Sequence, residues 1–89
     1  MLPTGWTCAG TLRVYAPAHP ENRRIVIQQN DGTNTVDVSE ADIPGEGFAR
    51  EFRLQLIAGE QRTVTAWVLG PQHRIRGTAV ARVRCVGEL

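Results

Sequence analysis

Lysine is absent: all ten basic residues are arginine, a bias that a GC-rich coding sequence explains as readily as a function does. Serine occurs once, at Ser39, outside any Gly-x-Ser-x-Gly elbow and with no base beside it, so the usual nucleophile signature is missing. His19 and His73 both fall in expected loops, and their spacing supports no catalytic triad. Two cysteines and two distant histidines match no zinc spacing, and there is no Cys-x-x-Cys to signal redox chemistry. The carboxylates Asp42 and Glu46 belong to a loop, where burial does little to tune a pKa. Asn30-Asp31-Gly32-Thr33-Asn34 offers oxygens, but the EF-hand order with its terminal glutamate is not there. These absences argue against an enzyme, a metal site or a cofactor site.

Other absences concern location and partners. No window approaches the roughly 20 apolar residues of a membrane helix, so membrane insertion is not expected. Met1–Gly5 lacks the apolar core of a signal peptide; either a leader has been removed or the chain is made without one. With a net charge of +1 the chain is no polycation, which disfavours nucleic acid as a partner.

What is present is a folded domain's pattern. Apolar residues make up 42% of the chain and charged ones 21%, which excludes disorder by composition. At 89 residues the expectation is one domain over residues 6–89, with residues 1–5 as a flexible arm. Period-two alternation then sets out the strands. The first runs from Trp6 through Ala16, with Cys8, Leu12, Val14 and Ala16 inward and Arg13 and Tyr15 outward. Two prolines fix the loop that follows, from Pro17 to Asn22. Arg23–Gln29 is the second strand, with Ile25 and Ile27 as its core face. Asn30-Asp31-Gly32 signals a hairpin. Thr35–Ser39 is a short third strand with Val36 and Val38 on one face, and Glu40–Gly47 is a loop.

The stretch from Phe48 to Cys85 reads as a three-strand antiparallel meander with one buried face. Phe52, Leu54 and Leu56 share a face of its first strand. Ala58-Gly59-Glu60 supplies a turn. Val64, Ala66 and Val68 lie on one side of the next strand, opposite Thr63, Thr65 and Trp67. After the break at Gly70-Pro71-Gln72, Ile75, Gly77, Ala79, Ala81, Val83 and Cys85 face inward. Arg74, Arg76, Thr78, Val80, Arg82 and Arg84 take the other side. The count is six strands, or seven if the first or last divides at Gly10 or Gly77.

Turn signals every 8–12 residues or so point to an all-β sandwich or small barrel. Cys8 and Cys85 sit inward on the first and last strands, which predicts a disulfide, and with it an oxidising location: extracellular, periplasmic or on a virion. The whole pattern resembles a small antiparallel immunoglobulin-like β-sandwich. The cysteines lie at the extremes of the chain, unlike the antibody arrangement, so the resemblance implies architecture and no functional residues.

Function then rests on surfaces. Charge is segregated: Asp31, Asp37, Glu40, Asp42 and Glu46 fall in a span without arginine. Arg74, Arg76, Arg82 and Arg84 form a guanidinium stripe along one strand, fitted to an acidic protein surface or to keeping an edge strand from aggregating. Trp67 is a candidate apolar anchor. The expectation is a non-catalytic structural or interaction module that docks onto a larger partner or assembly, such as a decoration protein of a virion. The alternatives are a carbohydrate-binding module using Trp67 and Tyr15, or a periplasmic chaperone-like inhibitor of fibre assembly.

Overall fold

The computed structural model describes residues 7–86, so the readings of the arm, of Trp6 and of the extreme C-terminus lie outside the described residues. Six strands run in chain order: β1 (Thr7–Ala16), β2 (Arg24–Asn30), β3 (Thr35–Asp42), β4 (Phe48–Ile57), β5 (Gln61–Leu69) and β6 (Ile75–Arg84). They build two antiparallel sheets, a two-stranded one of order β1-β4 and a four-stranded one of order β3-β2-β5-β6. Neither Gly10 nor Gly77 divides its strand.

The core lies between the sheets. Val14 and Ala16 of β1 and Leu54 and Leu56 of β4 meet Ile25, Ile27 and Val64 from the larger sheet, with Cys85 at one end and Ile43 also buried. Each of these strand residues follows the expected alternation, because a strand buries every second side chain when one face is wet. Burying a side chain of this size contributes roughly 1.5–3 kcal/mol.

The meander over Phe48–Cys85 is not formed. β4 pairs only with β1, and β5 pairs with β2 and β6, so the Ala58–Glu60 turn carries the chain from one sheet to the other. Alternation marks the inward face of each strand, and it is the same whether two strands lie side by side or face each other across a core. Several bonds hold the crossing. Gly59 N–H donates to the Cys85 carbonyl (3.1 Å), Cys85 N–H to that of Glu60 (2.9 Å) and Glu60 N–H to that of Ile57 (3.0 Å). The Glu60 carboxylate accepts from Ile57 N–H (3.0 Å) and from Arg62 (2.8 Å), which also reaches the Gln29 side-chain oxygen (2.8 Å).

Cys8 and Cys85 form the expected disulfide, with their Cα atoms 5.5 Å apart. It ties β1 to β6 across the two sheets, at the same end as the crossing turn.

β3 differs from its expectation. It extends to Asp42, so Glu40 and Asp42 are strand residues. Asn30 pairs with Thr35 and Gln29 with Asp37, which leaves Val36 as a bulge. Beyond it, the residues opposite inward Ile27 and Ile25 are Ser39 and Ala41. Val38 therefore points outward and is 54% exposed. A bulged residue is left out of the ladder, and only the register after it sets which side chains turn inward.

Candidate interaction surface

Among the described residues the pair of sheets is closed at one end and open along one side. The two-stranded sheet has half as many strands as the sheet it covers, and β1 and β6 share no hydrogen bonds. Between them runs an open groove of about 430 Å³. Its floor is the inner face of the larger sheet: Ile25, Val64, Ala66 and Val68. One wall is Leu12–Tyr15 of β1, and the other is Gly77–Ala81 of β6. Small residues make the β6 wall low. Ala79 faces inward by register, opposite inward Ala66, yet is exposed because nothing among the described residues lies over it. Tyr15 and Val80, 67% and 53% exposed, stand at the rim. A smaller recess of about 180 Å³ continues the seam toward the disulfide, bounded by Cys8–Leu12, Leu54, Leu56 and Val83–Cys85.

The sequence predicts a stripe of four arginines along the last strand, and the structure breaks it: a 3-10 turn over Pro71–His73 leaves Arg74 before β6. Leu69 pairs with Ile75 and Val68 with Gly77, so Arg76 sits at a bulge. There its guanidinium donates to Asn22 Oδ1 (2.9 Å) and to the Glu21 carboxylate (2.8 Å). Asn22 in turn donates to the Pro17 carbonyl (2.9 Å), so Arg76 holds the Pro17–Asn22 loop down on the start of β6. Arg76 is thus committed within the chain. The same bulge turns Ile75 out of the inward set, to 64% exposure. Gly70 lies beneath Arg76; a Cβ there would sit 2.7 Å from the arginine Cδ. Arg74, Arg82 and Arg84 are exposed, and no carboxylate among the described residues pairs with them.

Trp67 projects from the outer face of the larger sheet, half-buried between its cross-strand partners Val26 and Thr78. Tyr15 belongs to the smaller sheet. The two aromatics therefore stand on different sheets and make no common platform.

The acidic span collects at the opposite edge. Glu40 and Asp42 on β3 both bind Arg24 of β2, at 2.8 and 3.3 Å. The Glu40 hydrogen bond and charge raise the Arg24 pKa above its ordinary value. In the β2–β3 turn the Asp31 carboxylate accepts from the N–H groups of Asn34 (2.7 Å) and Thr33 (2.9 Å), and these bonds hold its pKa down. Asn30 Oδ1 accepts from Gly32 N–H (2.7 Å), with Gly32 at φ +99°. These side chains hydrogen-bond the turn's own backbone. No group of three or more His, Cys, Asp or Glu among the described residues is placed to hold a metal.

Sequence reasoning missed the groove and the bulge at Arg76. Alternation identifies inward residues, but nothing in it says that an inward residue such as Ala79 is left uncovered. No helix among the described residues is long and apolar enough to cross a membrane. No family model, curated protein or solved structure matches the chain.

Proposed function

We propose that this is a non-catalytic interaction module that docks onto a protein partner by accepting an extended segment along its open side. The observation that carries the reading is the apolar groove between β1 and β6, each of which has one edge left unpaired among the described residues. An unpaired edge offers a row of backbone donors and acceptors, and an incoming strand takes them up while alternate side chains enter the groove.

The immunoglobulin-like reading supports this. The order β3-β2-β5-β6 corresponds to C′-C-F-G of that architecture, and β1-β4 to B-E. In it a further strand, A, flanks B, at the place beside β1 that no described residue fills. A segment docked there would complete the smaller sheet and cover Ala66, Ala79 and Ala81. At roughly 3.3 Å per residue, five residues pass along Gly77–Ala81. Three of them point at the floor, and the small wall residues leave room for valine-sized side chains. Outward positions would lie beside Arg13, which favours carboxylates there. The disulfide supports an extracellular, periplasmic or virion setting for the partner.

The experiment is calorimetric titration with a short synthetic peptide alternating valine and aspartate, compared between the wild type and Gly77→Val. A Cβ at Gly77 meets nothing within 4 Å, so the substitution narrows the groove without straining the fold. Saturable binding that Gly77→Val abolishes supports the reading. Binding that survives Gly77→Val and falls with Trp67→Ala would move the site to the outer face.

A further inference from the structure

The four-stranded sheet ends in two unpaired edges of opposite charge. β3 forms one edge, bearing Asp37, Glu40 and Asp42, and β6 forms the other, bearing Arg82 and Arg84, with Arg74 just before it. Neither edge has a proline within its strand, and no strand among the described residues covers either one. We propose that β3 of one copy adds to β6 of the next, so that this chain assembles head to tail into a continuous sheet. This goes beyond the groove reading: it uses the free backbone edge of β6, the strand whose Gly77–Ala81 stretch also walls the groove.

Strand direction supports the join. β2 is antiparallel to β3 and to β5, and β5 is antiparallel to β6. β3 and β6 therefore run in opposite senses. A second copy displaced along the sheet, with the same face turned inward, presents its β3 antiparallel to the first copy's β6. No rotation of either molecule is needed, and the sheet's own twist carries the array forward.

The side chains agree in register. Outward on β3 are Val38, Glu40 and Asp42; outward on β6 are Thr78, Val80, Arg82 and Arg84. With Arg82 opposite Glu40 of the neighbouring copy, Arg84 faces Val38 and lies diagonal to Glu40, and Arg82 lies diagonal to Asp42. Diagonal neighbours are roughly 7–8 Å apart, within reach of an arginine. The acceptors exist. Arg24 takes Oε2 of Glu40 and Oδ1 of Asp42, which leaves Oε1 and Oδ2 without partners among the described residues. Val80 and Val38, both more than half exposed, would lose water at the same seam. A heterologous contact of this kind builds open fibres unless its rotation closes a ring.

The test is sedimentation velocity over a concentration series, at low salt and at 0.5 M salt, on the wild type and two charge-reversed variants. One variant is Arg82→Glu with Arg84→Glu; the other is Glu40→Arg with Asp42→Arg. All four positions are exposed, and circular dichroism checks that each variant is folded. The proposal expects wild-type oligomers that grow with concentration and dissociate in salt, as screening weakens exposed ion pairs. Each variant alone should sediment as a monomer, and an equimolar mixture of the two should regain the oligomer, since each then meets an edge of opposite charge. A wild type that stays monomeric throughout would overturn it, leaving the arginines as guards of an edge strand. So would variants that associate as well as the wild type, or a mixture no larger than its components.

Discussion

Replacing Cys8 and Cys85 together by alanine removes the cross-link that joins the two sheets beside the crossing turn. The residues are 77 apart in sequence, so the bridge closes most of the chain into a loop. In the chain-entropy account, closing a loop of that length withdraws about 15 cal/mol/K from the unfolded ensemble, or about 4.5 kcal/mol at 25 °C. Small domains commonly hold only about 5–15 kcal/mol in all, so the double variant should lose a large fraction of its stability. A measured loss of about 3–5 kcal/mol is expected, because cross-links often deliver somewhat less than the entropic figure. For a domain of this size each kcal/mol moves the melting temperature by roughly 4–8 °C, giving a fall of about 12–40 °C. Urea unfolding followed by tryptophan fluorescence measures it, and the reduced wild type serves as a second route to the same state. A loss below about 1 kcal/mol by both routes would refute the argument. It would mean that residual structure already holds the ends of the unfolded chain together without the bridge.

Three further outcomes follow from single features. Leu54→Ala should cost about 2–5 kcal/mol in urea unfolding, since Leu54 is buried in the core cluster and its removal leaves a cavity. Gly47→Ala should cost at least about 1 kcal/mol: Gly47 has φ +101°, and an added Cβ would lie 3.0 Å from the Ala16 carbonyl oxygen. Acid should destabilise through Glu60 and Asp31. Arg62 and Ile57 N–H lower the Glu60 pKa, and backbone N–H groups lower that of Asp31, so the folded state favours the ionised carboxyls. Their contribution is complete above the unfolded values near about pH 4–4.5 and fades as pH falls through the lower folded ones. Melting temperature should therefore drop on acidification below about pH 5, and less steeply in Glu60→Gln than in the wild type.

The strands were legible in the sequence because each inward position is marked by alternation. Val14, Ala16, Ile25, Ile27, Leu54, Leu56 and Val64 were all readable as core before any pairing was known. The disulfide was legible for the same reason, since Cys8 and Cys85 keep the inward phase of β1 and β6. Pairing was not. Whether β4 lies beside β5 or across the core from it leaves the same pattern in Phe52–Leu56 and Val64–Val68, and the turn at Gly59 permits both. Val36 and Val38, which alternation places on one face without saying which, are both exposed. A bulge defeated one side-chain assignment: at Arg76 one residue drops out of the ladder, and Ile75 leaves the inward set. The arginine stripe looked continuous for that reason, although Arg76 is bound to Glu21 and Asn22.

The proposed site for an extended segment is the open side between β1 and β6. Amide chemical-shift mapping during titration with the valine–aspartate peptide tests it most directly. Docking there should confine the shifts to Leu12–Ala16 and Gly77–Ala81, with new protection from solvent exchange on β1 amides that were open in the unbound protein. Shifts centred instead on Trp67 and Val26, or no change in β1 at saturating peptide, would contradict it.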